Sequence, residues 1–220
     1  MSIIKILFFS LALVSFSGVF GQAAKPAFYD DIVAFKKQDS IAPPPKNAIL
    51  FIGSSSFTKW KNVQNMFPAY TIINRGFGGS SLPDVTRYAN TIIFPYQPKQ
   101  IVIYCGENDV ASGLDSKQVS DRFKTLFLLI RERLPAIPVI FISMKPSPSR
   151  EKFAPVLVQA NQIIKNFLWT QGNCIYVDVY KLMLDSNGKA RPALFVEDML
   201  HMNPDGYKIW QEALLPYLKK

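Results

Sequence analysis

The sequence predicts a three-layer α/β/α sandwich built on a five-stranded parallel sheet, and three observations predict it. Five short apolar runs are continuous rather than alternating, the pattern of strands buried on both faces. Helical spacings of apolar residues lie between several of them, as right-handed βαβ crossovers require. Clusters of glycine and polar residues then stand after the runs, at the strand ends where open α/β sheets place their sites.

The elements follow in chain order. FYDDIVAFKKQ (28–38) carries Phe28, Ile32 and Phe35 at helical spacing, and Pro43, Pro44 and Pro45 form a stiff connector after it. The strands are expected at AILFI (48–52), TII (71–73), QIVIY (100–104), VIFIS (139–143) and CIYVDV (174–179). Residues 115–134 place Val119, Phe123, Leu126, Phe127, Ile130 and Leu134 on one helical face. A second helix, 156–168, carries Val156, Ala160, Ile163, Ile164 and Phe167. The last helix runs from Pro204 to about Leu218, with Asn203 as its N-cap and proline at its first position. Five strands with helices on both faces imply a flavodoxin-like order, 2-1-3-4-5. The 220 residues suffice for one sizeable core and show no internal repeat.

Residues 1–21, MSIIKILFFSLALVSFSGVFG, read as a secretory signal: Lys5 near the start, an apolar stretch, then small residues around Gly18 and Gly21. The apolar stretch is shorter than the roughly 20 residues of a spanning helix, and Ser10, Ser15 and Ser17 dilute it. An exported chain, periplasmic or secreted, is therefore expected, with residues 22–46 as an N-terminal helix and connector and 47–220 as the main domain. The formal charge of +9 favours anionic surroundings in general. No run of Lys and Arg interleaved with aromatics accompanies it, so solvated surface charge is the expectation and nucleic acid is not an expected partner. Cys105 ends one apolar run and Cys174 begins another, which puts them at opposite ends of a parallel sheet, too far apart for a bridge. Two free, buried thiols are expected.

The polar clusters are GSSS (53–56) after the first run, NRGFGGSS (74–81) after the second, and CGEND (105–109) after the third. EDMLHMNP (197–204) precedes the last helix and contains His201, the one histidine of the chain. Asp198 lies three residues before it, a spacing that can put a carboxylate against one ring nitrogen and leave the other free as a base. A serine hydroxyl needs such a base to attack, so any serine triad in this chain must use His201. GSSSF lacks the last glycine of the G-x-S-x-G elbow, because residue 57 is Phe, and it lacks the Gly-Lys-Ser/Thr ending of a phosphate-binding loop. A bland reading stands beside each cluster: a polar loop at Ser54–Ser56, a turn at GFGG, and a helix cap at Asn108 and Asp109.

At these residues the chain resembles the SGNH (GDSL-type) hydrolases. That family carries four short blocks, and all four occur here in order: GSS (53–55) in place of Gly-Asp-Ser, GFGG (76–79), GEND (106–109) and DMLH (198–201). The resemblance implies Ser55 as nucleophile, His201 as base and Asp198 as its partner. It also implies an oxyanion hole made by the N–H groups of Ser55 and Gly79 and the side chain of Asn108. Ser54 departs from the family's usual Asp, which puts the local hydrogen bonds of the loop in question rather than the triad. The implied activity is a serine esterase or acylhydrolase without cofactor, and one histidine with two distant cysteines cannot build an ordinary zinc site. Short acyl esters, most simply acetyl groups on a glycan, are the expected substrates. The long loops 143–155 and 185–198 are polar and offer no apolar lid for a long chain. Lysophospholipase or thioesterase activity and a non-catalytic binding protein on the same scaffold are the alternatives, with an FMN binder a weaker one. Arg75 beside the second block is a tentative contact for an anionic substrate, with surface charge the competing role, as it is for Lys145 and Arg150.

Overall fold

The computed structural model describes residues 24–220, so the expected signal segment lies outside the described residues. Five strands, β1 (Ile49–Gly53), β2 (Ile72–Gly76), β3 (Gln100–Tyr104), β4 (Val139–Ile142) and β5 (Cys174–Val177), form one parallel sheet in the order β2-β1-β3-β4-β5. Among the described residues, ten helices surround it: α1 (Tyr29–Ile41), α2 (Ser55–Lys59), α3 (Val63–Met66), α4 (Leu82–Arg87), α5 (Ala89–Ile92), α6 (Glu107–Ala111), α7 (Ser116–Arg133), α8 (Ala154–Trp169), α9 (Val179–Leu182) and α10 (Pro204–Leu214). Short 3₁₀ turns, among them Pro148–Phe153 and Pro192–Leu194, fill the loops that follow β4 and α9.

Side-chain alternation along the strands divides the core into two layers. Leu50, Ile52, Ile101, Ile103 and Phe141 face one cluster, which α1, α4, α5, α7 and α8 cover. Ile49, Phe51, Val102, Tyr104 and Ile142 face the other, under α2, α3, α9 and α10. Both faces of the central strands β1, β3 and β4 are thus dry, and this is why those strands read as unbroken apolar runs. Helix α7 begins on a capping box, Asp115 accepting from the Gln118 N–H while the Gln118 side chain accepts from the Asp115 N–H. Asn203 caps α10 through bonds from the N–H groups of Asp205 and Gly206, as expected from the sequence.

Three features differ from expectation. Strand β2 extends through Asn74 and Arg75 to Gly76 instead of ending at residue 73. Its polar side chains find partners inside the protein: Asn74 Nδ2 donates to the Phe57 carbonyl at 2.7 Å and its Oδ1 accepts from the Gly76 N–H. Both cysteines are free, but only Cys105 is fully buried; Cys174, at the start of β5, is half-buried. The loop after β4 is not a solvated surface loop either, because Ser143, Met144, Lys145 and Ser147 are all buried. No helix among the described residues is long and apolar enough to cross a membrane.

Candidate active site

Three strands end level with one another, which sets the frame of the site. Gly53 pairs with Gly76 on one side and with Tyr104 on the other, so the segments after β1, β2 and β3 leave the sheet at the same height. Gly53 has φ +144°, and a Cβ there would lie 1.8 Å from the Tyr104 carbonyl oxygen. Only glycine fits this turn, and it delivers the next residues to the start of α2.

Of the three serines in a row, Ser54 and Ser56 are buried, whereas Ser55 is half-buried at the first position of α2. The first N–H groups of a helix have no intrahelical acceptor, so the Ser55 N–H is available to an incoming group. The Ser54 carbonyl closes the turn by accepting from the N–H groups of Phe57 and Thr58 at 3.0 and 3.3 Å. The loop therefore keeps its shape through backbone bonds with serine where the resemblance would place aspartate.

His201 reaches this loop from the segment before α10. Its Nε2 lies 2.9 Å from Ser55 Oγ, and its Nδ1 lies 2.6 Å from Asp198 Oδ2. The other Asp198 oxygen accepts from the backbone N–H groups of Leu200 and His201 at 2.9 and 2.8 Å. Slight burial pushes the Asp198 carboxyl up, but the bonds from the His201 ring and from these two N–H groups outweigh it and hold the group down to about 2. The carboxylate is thus ionised throughout the range in which an imidazole titrates. A separate tie docks the last helix on the serine loop: Tyr207 Oη donates to the Ser56 carbonyl at 2.8 Å, and the Tyr207 ring stacks on Trp60 at 5.0 Å.

The second and third blocks converge on the same place. A Cβ on Gly78 would touch that of Ser55 at 4.0 Å, so the Gly78–Gly79 turn lies beside the hydroxyl. Gly79 has φ +84° and is exposed, with the Phe28 ring next to it. Asn108 Nδ2 donates to the Ser80 carbonyl at 2.9 Å, which joins the two blocks directly. Asp109 Oδ2 joins them again by accepting from the Leu82 N–H at 3.0 Å.

Each residue of Glu107–Asn108–Asp109 is held by a different cation. Lys145 Nζ meets Glu107 at 3.1 Å, Arg150 Nη2 donates to Asn108 Oδ1 at 2.9 Å, and Arg122 Nη1 meets Asp109 at 2.8 Å. Tyr104 Oη also donates to Glu107. Lys145 is 1% exposed, so burial pulls its ammonium below the ordinary lysine value while Glu107 opposes the shift. The expectation of surface charge at Lys145 and Arg150 is therefore corrected. Both point inward, onto the loop that carries Asn108. Spacing in the sequence gives no sign of this, because the partners lie 38 and 42 residues apart.

Arg75 is placed elsewhere than expected. Its side chain is buried beneath α1, paired with Asp39, donating to Tyr96 Oη at 2.6 Å and to the Asn74 carbonyl at 3.0 Å. The Phe35 ring lies 5.1 Å from the guanidinium. Burial and the Asp39 bond together push the Tyr96 phenol up to about 12. This cluster ties β2 to α1, so Arg75 is neither a surface charge nor presented as a contact for substrate.

A hydroxyl, an imidazole and a carboxylate in line can pass a proton from the first to the second with the third stabilising the cation. N–H donors converging beside the hydroxyl can stabilise a negative oxygen. Comparison with known proteins identifies the family. The GDSL-like Lipase/Acylhydrolase family matches residues 47–209. No curated protein matches the chain. Among solved structures, a protein of Streptococcus pneumonia described as a platelet activating factor is similar at 20% identity, covering 86% of this chain and 92% of that one with a TM-score of 0.76. A GDSL-like lipase of Bacteroides thetaiotaomicron is similar at 18% identity, over 84% and 95% of the two chains, with a TM-score of 0.71. A variant of an acetyl-xylooligosaccharide esterase of Geobacillus Stearmophilus is similar at 15% identity, over 80% and 98%, with a TM-score of 0.62. These likenesses share the fold. The match over most of the chain makes it a member of the GDSL-like lipase/acylhydrolase family, a hydrolase of ester bonds.

Proposed function

We propose that the protein is an exported serine esterase that removes short acyl groups, most simply acetyl, from a polar alcohol such as a glycan. The reading rests on one observation, the line Ser55 Oγ–His201–Asp198 with gaps of 2.9 and 2.6 Å. Ser55 Oγ attacks the ester carbonyl as its proton passes to His201 Nε2, and Asp198 steadies the resulting imidazolium. The N–H groups of Ser55 and Gly79 and the amide of Asn108 receive the oxyanion, each donor being worth about 2.7–4 kcal/mol in the transition state. The tetrahedral centre then expels the alcohol, which takes the proton back from His201. Water repeats the cycle on the acyl-enzyme and releases the acid.

The short acyl chain is supported by the loops around the site. A long chain gains about 0.8 kcal/mol per CH₂ only where an apolar tunnel receives it. The segments after β4 and α9 instead carry Ser149, Glu151, Asp185 and Lys189. The similarity to an acetyl-xylooligosaccharide esterase is in keeping with acetyl as the acyl group and a glycan as the alcohol. The test is a nitrophenyl ester series together with a fluorophosphonate label. Acetyl and butyryl esters should turn over fastest, and the label should map to Ser55 and be lost in Ser55→Ala. A kcat/KM that climbs beyond eight carbons would replace this reading by a lysophospholipase, and failure to label would favour a binding protein.

A further inference from the structure

The ring of Phe28 stands beside the glycine proposed as an oxyanion donor, and Phe28 lies outside residues 47–209, the part that matches the family. A Cβ on Gly79 would lie 3.7 Å from Phe28 Cε1 and 4.0 Å from its Cζ, while a Cβ on Gly78 would meet that of Ser55. Gly78 and Gly79 are exposed, and Phe28 is half-buried. Ser55, the Gly78–Gly79 turn and the Phe28 ring thus follow one another along one side of the site.

Three observations give the ring a task. The first is its backbone. Phe28 precedes α1 with φ +64° and ψ +11°, where a residue at the start of a helix is ordinarily extended. For a bulky side chain this left-handed conformation is an outlier, kept only where the surroundings fix it, and such residues gather at ligand sites. The second is that fixation. Tyr88 Oη donates to the Ala27 carbonyl at 2.6 Å, and the Tyr29 N–H donates to the Pro26 carbonyl at 3.1 Å. The fully buried Phe77, in the same GFGG block as Gly79, meets the Phe28 ring edge-on at 5.2 Å and the Tyr88 ring at 6.1 Å. The third is the side of approach. Phe28 packs on the core layer under α1, α4, α5, α7 and α8, whereas Phe195 and Met202, which bridge the His201 loop, belong to the other layer. Ring and imidazole therefore reach the serine from opposite faces of the sheet.

The chemistry then assigns the two halves of an ester. The alcohol oxygen must lie at His201 Nε2, because the leaving alcohol takes its proton there. With the carbonyl oxygen among the N–H donors, the acyl group is the substituent directed away from His201, towards the layer of Phe28. We propose that Phe28 is the end wall of the acyl site and sets the length of the acyl group that Ser55 accepts. One methylene too many in an apolar site of fixed shape is discriminated by about 10–200-fold. This rests on the esterase reading and supplies a residue behind its preference for short chains.

The experiment measures kcat/KM on 4-nitrophenyl esters from acetyl to decanoyl for the parent, Phe28→Gly and Phe28→Trp. Glycine removes the ring and also suits the left-handed backbone. In Phe28→Gly the ratio of hexanoyl to acetyl kcat/KM should rise by about tenfold or more, and in Phe28→Trp the ratio of butyryl to acetyl should fall by about threefold. Each ratio comes from one protein sample, so a smaller folded fraction cancels. Should Phe28→Gly fail to fold, Phe28→Trp decides alone. Ratios unchanged from the parent would overturn the wall, and so would an equal rise of KM on every ester, which would make the ring a prop for the Gly79 turn. A parent that hydrolyses no ester overturns the esterase reading and this inference with it, whereas an active parent with unchanged ratios in the variants overturns the wall alone.

Discussion

Arg150 donates to Asn108 Oδ1 at 2.9 Å, and so fixes which end of the Asn108 amide faces the site. With Oδ1 taken by a cation and one Nδ2 hydrogen on the Ser80 carbonyl, the second Nδ2 hydrogen has no such partner, which is what the proposed oxyanion role needs. Arg150 is thus a positioning residue. Asn108→Ala should lower kcat by roughly 10²–10³ with little change in KM, because its bond strengthens only in the transition state. Arg150→Gln should lower kcat on 4-nitrophenyl acetate by about tenfold, and Arg150→Lys should recover part of it. An effect of either substitution on KM alone would make the residue a substrate contact instead.

Burial separates the three serines of GSSS. Ser55→Ala should abolish turnover of an activated ester in a protein that melts normally. Ser54→Ala and Ser56→Ala should keep most of it, since their hydroxyls are buried and the loop is closed by backbone bonds. Equal loss in all three would mean a structural serine loop.

The pH profile should carry one acidic limb. A histidine base must be neutral, and histidine ordinarily takes up its proton near pH ~6.5. Asp198, held at about 2, should add no second inflection in kcat/KM between pH 3 and 9. Asp198→Asn should lower kcat by up to roughly 10⁴-fold. The same carboxyl sets a sign for stability. Its folded value lies below the ordinary ~3.9, so its contribution is present above that pH and is lost as the pH falls through about 2. Acid melting curves of the parent and Asp198→Asn should therefore converge towards pH 2.

Arg75 provides a stability test. Arg75→Met strands Asp39 beneath α1, and breaking one side of a largely buried pair costs roughly 3–5 kcal/mol. At about 2–4 °C per kcal/mol for a chain of this size, the melting temperature should fall by roughly 6–20 °C. KM for acetyl esters should stay unchanged in the remaining folded protein. A KM rise without a loss of melting temperature would restore Arg75 as a substrate contact.

The sequence by itself determined the sheet, its order and the four blocks of the candidate site. Strands buried on both faces leave an unbroken apolar run, and Gly53, Asn203 and Pro204 mark turns and caps that few other residues can make. His201 was legible as the base of any serine triad, since one histidine leaves one base to choose, whereas Ser55 among the three serines came from the resemblance. What only the tertiary structure decided is where the cations point. Arg75, Lys145 and Arg150 look alike in a loop or at a strand end, and the sequence carries no local signal for a partner 36 to 42 residues away. Their burial depends on the crossing of separate elements: α1 over β2, and the loop after β4 over the loop after β3. A long flexible cation is solvated until such a crossing supplies a carboxylate or an amide oxygen to replace the water it loses.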